Sequence, residues 1–109
     1  MLGTKRRFGA AGEELAAEHL RLRGWEVVAR NFRTRSGEID LVCTRAGEAA
    51  LVEVKTRAGS SHGLPIEAID TPKLERMQRC AAEWRRASEW RGPTRCLVVT
   101  ISLEVLSEL

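Results

Sequence analysis

The fold of this sequence is decided by the stretch Leu51-Val52-Glu53-Val54-Lys55-Thr56-Arg57, which is rich in valine and bounded by Gly47 and Gly59. Such a run predicts a β-strand. Side chains alternate along a strand, so Glu53, Lys55 and Arg57 share one face and the valines share the other. Charges within an apolar strand are costly to bury unless something compensates them, so the charged face is the first candidate for a functional site.

A second strand is predicted just upstream, at residues 37–43 (Gly-Glu-Ile-Asp-Leu-Val-Cys), with the same mixture of acidic and apolar residues. Strict alternation places Asp40 on one face and Ile39 and Leu41 on the other. The connection between the two strands is short enough for a β-hairpin. Because paired strands lie about 4.8 Å apart, Asp40 is expected beside Glu53, and two carboxylates and a lysine would then converge on one side of the sheet.

The rest of the chain supplies two helices and two further strands. They are predicted at residues 8–23 (helix), 25–32 (strand), about 71–90 (helix) and 96–103 (strand). The last segment is almost continuously apolar, which is typical of a strand covered on both faces. The order predicts an α/β fold with an α-β-β-β-α-β core, a mixed central sheet and helices on both faces, in a single domain over residues 1–109.

Composition favours a globular protein, with 43% hydrophobic and 30% charged residues in a chain of 109. No apolar run approaches the roughly 20 residues that span a bilayer, and no signal peptide is visible, so no membrane association and a cytoplasmic location are expected. The net charge of +3 is by itself a weak indication of nucleic acid. Outside the proposed acidic site the chain is distinctly basic, which suits phosphates.

Glu13 is an acid on the apolar side of the first helix, where it aligns with Ala16 and Ala17. Considered alone, it is best explained as a carboxylate at the border of that face, paired with an arginine. Together with Asp40 and Glu53 it becomes a candidate for the same acidic cluster. Both interpretations stay open from the sequence.

Cysteines and histidines are not expected to carry the chemistry. Cys43, Cys80 and Cys96 are odd in number, far apart and without the spacing of a zinc site, so buried reduced thiols are predicted. His19 is predicted to be a hydrogen-bonded core residue, and His62 an exposed bystander.

Basic residues around the predicted site are the candidate contacts to nucleic-acid phosphates. They are Arg33 and Arg35 in a polar turn, Arg57 at the end of the central strand, and Lys73 near the start of the second helix. Lys73 follows a glycine- and serine-rich loop at residues 58–65, which is expected to be mobile and to order on a substrate. The later arginines of that helix alternate with glutamates, which predicts a solvated face.

Two acids and a lysine on neighbouring strands predict metal chemistry. Mg²⁺ and Mn²⁺ prefer oxygen ligands, and Mg²⁺ usually takes one or two carboxylates together with water and substrate phosphate. Asp40 and Glu53 supply that minimum, and Glu13 would assist through a water. Lys55 shares the Glu53 face, where it would contact the metal-bound water or the scissile phosphate. The predicted reaction is metal-dependent phosphodiester hydrolysis by in-line attack of water.

Asp40, followed thirteen residues later by Glu53-Val54-Lys55, resembles the PD-(D/E)xK pattern of restriction-endonuclease-like nucleases, with Ile39 in place of the proline. From about residue 8 to residue 101 the chain resembles the YraN-like family of small, functionally uncharacterised bacterial proteins, which is similar to archaeal Holliday-junction resolvases. The residues that carry this resemblance are Gly12-Glu13, Gly24-Trp25, Arg30-Asn31-Phe32-Arg33, Gly37-Glu38-Ile39-Asp40-Leu41, Val52-Glu53-Val54-Lys55-Thr56-Arg57, Gly63-Leu64-Pro65, Glu67-Ala68-Ile69 and Lys73.

The resemblance implies a restriction-endonuclease-like fold with metal ligands at Asp40 and Glu53, a catalytic Lys55 and a supporting acid at Glu13. It implies an endonuclease acting on DNA, branched or damaged DNA included. A resolvase makes two symmetric cuts and normally works as a dimer, so a homodimer is also implied. The sequence departs from the family at residues 95–99, which read Arg-Cys-Leu-Val-Val instead of the usual Arg-Phe-Asp-Val-Val.

Two other functions are compatible with the sequence. One is a non-cleaving nucleic-acid-binding module on the same fold, which would bind DNA in a salt-dependent way without metal. The other is a protein-interaction domain in which Asp40, Glu53 and Lys55 form a structural ion-pair network. A Mn²⁺ titration separates the last from the nuclease, because a structural network would bind no metal.

Overall fold

Two helices and four strands follow one another in the order that the sequence predicted. The computed structural model describes residues 2–58 and 70–103, with the side chains of residues 9–57 and 70–102. The elements are α1 (Leu2–Leu22), β1 (Glu26–Thr34), β2 (Gly37–Arg45), β3 (Glu48–Ala58), α2 (Thr71–Ser88) and β4 (Thr94–Leu103). The predicted α-β-β-β-α-β order is confirmed.

The helices end where their capping residues require. Gly24, in the left-handed region with φ 89°, donates its N–H to the Arg21 carbonyl at 2.9 Å and closes α1. The Asp70 carboxylate caps α2 by accepting the Lys73 N–H at 2.9 Å, and α2 ends before Glu89, which has φ 56°. Within the described residues, no helix is both long enough and apolar enough to cross a membrane.

The strands form one mixed sheet in the order β1-β2-β3-β4. The first three strands are antiparallel neighbours, and β4 lies parallel to β3 because α2 provides a crossover connection. The parallel register places Val98 beside Glu53 and Thr100 beside Lys55. The strand that carries the candidate site residues is therefore an interior strand of the sheet.

The two helices cover opposite faces of the sheet, as predicted. The α1 face of the core contains Ala16, Ala17, Leu20, Trp25, Leu41, Cys43, Ala50 and Val52. The α2 face contains Ile39, Val42, Ala49, Leu51, Cys80, Ala81 and Trp84. Burial of these apolar side chains is the main source of stability for the sheet and its two helices.

The strict alternation predicted for β2 is wrong at Asp40. Ile39 packs in the α2 face of the core, whereas Leu41, two residues on, packs in the α1 face. Opposite Asp40 in β1 stands Asn31, whose φ of 50° lies in the left-handed region and interrupts the regular pleat. On the other side, the β2–β3 pairing extends only as far as Leu41 and Val52. Asp40 therefore lies opposite a residue with left-handed backbone in β1 and just beyond the last pair between β2 and β3.

Helix α1 approaches β3 closely at Gly12. A Cβ atom at this position would overlap Thr56 Oγ1 and would lie 2.9 Å from Thr56 Cβ. Only glycine allows this approach without a shift of the helix or the strand. The next residue, Glu13, is consequently held near the end of the sheet where β2 and β3 separate.

Candidate active site

Asp40 lies in the opening between β2 and β3. Its Oδ2 accepts the Val54 N–H at 2.7 Å, so the carboxylate takes the place of a ladder carbonyl. Burial raises the pKa of Asp40, the Val54 N–H partly offsets that rise, and the nearby charges of Glu53 and Glu38 raise the pKa further. The charge of Glu53 is thus felt at Asp40, while the convergence of the two carboxylates on one ion stays a prediction.

Glu13, Glu38 and Asp40 form what we call the carboxylate cluster. The Asn31 amide nitrogen donates to Glu13 Oε1 and to Glu38 Oε1, at 3.0 Å each, in the amide orientation that avoids placing its oxygen against acceptors. Burial raises the pKa of Glu13, and the charges of Asp40 and Glu38 raise it further. Neutral amide donors hold the carboxylates together without cancelling their charge.

The arginine that would favour a purely structural role for Glu13 is occupied elsewhere. Arg30 Nη1 donates to Glu14 Oε2 at 2.8 Å, and this neighbouring glutamate is exposed. The Arg30 charge lowers the pKa of Glu13, but this is the smallest of the contributions. The pKa of Glu13 therefore stays above its usual value. This arrangement agrees with the interpretation of Glu13 as a member of an acidic cluster better than with its interpretation as a carboxylate paired with an arginine.

Glu53, Lys55 and Lys73 form what we call the lysine cluster, on the α2 side of the sheet. Glu53 Oε1 lies 3.7 Å from Lys55 Nζ and 3.9 Å from Lys73 Nζ. The Glu53 side chain is 13% exposed and that of Lys73 is 20% exposed. The hydrogen bond with Lys55, together with burial and the Lys55 charge, lowers the pKa of Lys73. One carboxylate oxygen therefore faces two ammonium groups.

The residues present fit a hard divalent cation. Within residues 9–57 and 70–102, no three His, Cys, Asp or Glu side chains are grouped as a ready-made ligand set. Mg²⁺ needs only one or two carboxylates when water and substrate complete its octahedron. Burial raises the pKa of Asp40 and of Glu13, and neighbouring carboxylates raise both further: Glu53 and Glu38 act on Asp40, and Asp40 and Glu38 act on Glu13. A divalent ion relieves repulsion of this kind. Asp40 and Glu53 therefore stay the predicted metal ligands, with Glu13 predicted to act through a water.

The candidate phosphate contacts fall into two places. Lys73 contacts Glu53, and Arg57 lies two residues beyond Lys55 in β3. Arg33 and Arg35 lie in a shallow groove of about 670 Å³ between the β1–β2 turn and α2. Arg86 lines the same groove and is exposed, in agreement with the solvated face that the sequence predicted for it. The loop at residues 58–65 and His62 lie outside the described residues, apart from the backbone of Ala58.

The cysteines and the described histidine do not belong to the site. Cys43 and Cys80 are buried free thiols and Cys96 is partly buried, close to the prediction. Burial raises the pKa of Cys43 to about 11, which keeps this thiol protonated and unreactive. The prediction for His19 is wrong: it is exposed and its Nε2 accepts from Arg23 Nε at 2.8 Å, because the apolar face of α1 is narrower than the pattern indicated.

Sequence reasoning missed the role of Asn31 and the contact between Lys73 and Glu53. Asparagine is depleted in strands and enriched in the left-handed region, so an asparagine inside β1 was a usable signal. The Lys73 contact had no local signal, because it joins the first turn of α2 to a residue of β3 that is twenty positions earlier in the chain.

Comparison with known proteins places the chain in a sequence family. A model of the family described as "Uncharacterised protein family UPF0102" matches residues 12–101, and the chain belongs to that family. A UPF0102 protein of Clavibacter michiganensis subsp. michiganensis is 51% identical over 95 residues, covering 86% of this chain and 80% of the relative. UPF0102 proteins of Nocardia farcinica and an Arthrobacter species are 49% and 41% identical, covering 84% and 89% of this chain and 71% and 82% of the relatives. The YraN-like resemblance is confirmed.

Proposed function

We propose that this protein is a metal-dependent endonuclease that hydrolyses phosphodiester bonds in DNA. The observation that carries the proposal is the half-buried Asp40 carboxylate, held by the Val54 N–H in the opening between two strands. The Glu53 carboxylate is close enough to raise its pKa, and the Lys55 charge lowers it. Two interacting acids beside a lysine, in an interrupted part of a sheet, favour a functional site over a packing role.

Each side chain has a distinct proposed task. Mg²⁺ or Mn²⁺ held by Asp40 and Glu53 would polarise the scissile phosphate and acidify a water. Lys55 would donate to a non-bridging phosphate oxygen as negative charge grows there. Glu13, which Asn31 holds near Asp40, would accept a hydrogen bond from the attacking water and orient it. The water oxygen would bond to phosphorus as a bridging P–O bond breaks on the opposite side.

The basic residues support an extended polyanion as the substrate. Lys73 lies in the first turn of α2, and Arg86 lies near its other end beside Arg33 and Arg35. At 1.5 Å per residue, these two positions are about 20 Å apart along the helix. A ligand that reaches both sets of cations must carry phosphates over that length, which duplex DNA does and a mononucleotide does not. Symmetric cutting of branched DNA would require two copies of the chain, so a homodimer belongs to the same proposal.

A cleavage panel tests the proposal. Linear, nicked and four-way-branched DNA are incubated with the protein and Mg²⁺, Mn²⁺ or EDTA, and the products are resolved on denaturing gels. We expect metal-dependent cleavage of at least one substrate, which Asp40→Asn abolishes while its side-chain oxygen still accepts the Val54 N–H. Glu14→Gln is the matched control, because Glu14 is the exposed neighbour of Glu13 and is engaged by Arg30.

Two outcomes of this panel contradict the proposal. The first is a protein that cleaves none of the substrates with either metal. The second is cleavage that Asp40→Asn leaves unchanged. Salt-dependent DNA binding without cleavage, and without a metal requirement, would identify a non-cleaving nucleic-acid-binding module instead.

A further inference from the structure

We infer that Lys73 competes with the divalent cation for Glu53, so that metal binding displaces the Lys73 ammonium from the site. This inference rests on the proposed function, because it takes Glu53 to be a metal ligand. It assigns Lys73 a role in cation binding in addition to the phosphate contact expected from the sequence.

The geometry behind the inference is the shared oxygen of Glu53. Lys73 Nζ and Lys55 Nζ lie 3.9 and 3.7 Å from the same atom, Glu53 Oε1. Two ammonium groups repel each other at such proximity, and the carboxylate between them offsets the repulsion. Lys73 therefore occupies a position from which a cation bound to Glu53 would repel it.

The two lysines differ in how they are anchored. Lys55 extends from the part of β3 that pairs with β4, beside Thr100, and its position on the Glu53 face is fixed by the pleat. Lys73 extends from the first turn of α2, whose backbone is fixed by the Asp70 cap, and it reaches Glu53 through a flexible four-carbon stem. Displacement of Lys73 from Glu53 takes place by rotation about side-chain bonds and needs no movement of the backbone. Lys73 is the lysine expected to leave when a divalent ion binds.

The displaced ammonium would stay near the mouth of the site. Because the Lys73 backbone does not move, its ammonium group remains within reach of a phosphate that approaches the metal. The same side chain would thus hold Glu53 in the metal-free protein and contact the nucleic-acid backbone in the loaded one. This sequence of contacts reconciles the Glu53 ion pair with a phosphate-binding role.

Isothermal titration calorimetry with MnCl₂ on the full chain tests the inference. We compare the unmodified protein with Lys73→Met, which removes the charge but keeps a long, helix-favouring side chain. The expected result is Mn²⁺ binding about tenfold tighter in Lys73→Met, from the loss of one like charge close to the ion. Arg79→Met is the matched control: Arg79 is an exposed arginine further along α2 and is not among the charges that act on Lys73. The Mn²⁺ affinity of this control should stay within about twofold of that of the unmodified protein. That change is smaller than the tenfold change, equivalent to about 1.4 kcal/mol, that is expected for Lys73→Met.

The outcomes separate this inference from the proposed function. Equal or weaker Mn²⁺ binding by Lys73→Met, in a protein that does bind Mn²⁺, overturns the competition and leaves the nuclease proposal standing. Equal gains in Lys73→Met and Arg79→Met also overturn it, since they would report net charge alone. No binding by any of the three proteins overturns the inference and the metal site together. A second readout is the thermal midpoint: Mn²⁺ should raise it more for Lys73→Met than for the unmodified protein.

Discussion

The two halves of the candidate site hold charged side chains close together by different means. On the α1 side, the carboxylate cluster is held by the neutral amide of Asn31, and the pKa values of Glu13 and Asp40 are raised. On the α2 side, the lysine cluster surrounds the Glu53 carboxylate with two ammonium groups. The first half keeps an excess of negative charge and the second keeps an excess of positive charge.

This difference indicates where each reaction partner would bind. On the proposed function, a divalent cation would bind next to Asp40, at the border of the acidic half, where it would relieve carboxylate repulsion. A phosphate would bind against Lys55 and Lys73, where two ammonium groups share the Glu53 carboxylate and the local net charge is positive. The border between the halves is the opening of the sheet at Asp40, so metal and phosphate would meet there.

Removal of Lys55 gives the largest expected effect, because it takes the fixed cation out of the basic half. Lys55→Ala should lower the rate of DNA cleavage about 10²- to 10³-fold, the usual loss when one preorganised electrostatic group is removed. Mn²⁺ affinity should not fall, since Lys55 is not a ligand. Single-turnover cleavage together with calorimetry measures both quantities; parallel losses of rate and metal affinity would show that Lys55 acts by positioning Glu53.

A substitution that pushes α1 away from β3 should disturb the acidic half of the site by lowering the stability of the fold. Gly12→Ala places a methyl group against Thr56 and should lower the free energy of unfolding by about 2 kcal/mol, as overpacking does. Gly9→Ala is the matched control on the same helix, because a Cβ there meets nothing within 4 Å. It should stabilise the protein by about 0.5–1 kcal/mol. Urea denaturation checks both values, and equal effects of the two substitutions would refute the close approach.

Asn31 combines a backbone role and a side-chain role that two substitutions separate. Asn31→Gly keeps the left-handed backbone but removes the amide donors to Glu13 and Glu38, and should cost about 1 kcal/mol of unfolding free energy. Asn31→Ala removes the donors and also strains the backbone, so it should be less stable than Asn31→Gly by about a further 1 kcal/mol. Equal stabilities by urea denaturation would mean that the positive φ of Asn31 carries no strain.

The smallest expected effect is the pH dependence of the acidic half. Because the folded-state pKa of Asp40 is raised above its usual value, Asp40 lowers stability as pH rises through the normal aspartate range to that raised pKa. The Asp40→Asn protein does not lose stability in this way as pH rises. In the absence of metal, it should therefore be as stable as the unmodified protein in acid and more stable at neutral pH. Thermal melts between pH 3 and pH 7 would measure the difference, and a difference that stays constant across this range would contradict the raised pKa.

The sequence was sufficient for the element order because periodicity and capping residues are local signals. The valine-rich run at β3, the glycine after α1 and the Asp70 cap are all readable along the chain. The irregularity at Asp40 was not readable, since it depends on the left-handed Asn31 in the neighbouring strand. Strict alternation put Asp40 and Glu53 on one face, whereas the structure places Asp40 where the pleat breaks and its carboxylate accepts the Val54 N–H.

Contacts between distant segments limited the prediction of the site. Glu13 and Asp40 were predicted as partners, but the asparagine that links Glu13 to Glu38 was not. Lys73 was assigned to phosphate from its position after a loop, and only the folded chain places its ammonium group at Glu53. The exposed His19 shows the opposite error, where helical periodicity alone overestimated the width of the buried face of α1.

Calorimetric titration of Mn²⁺ into the unmodified protein, Asp40→Asn and Glu53→Gln tests the central claim most directly. If Asp40 and Glu53 share a divalent cation, the unmodified protein should bind one ion per chain, and each substitution should weaken binding by at least about tenfold. Binding that survives both substitutions, or no binding by the unmodified protein, would contradict the claim.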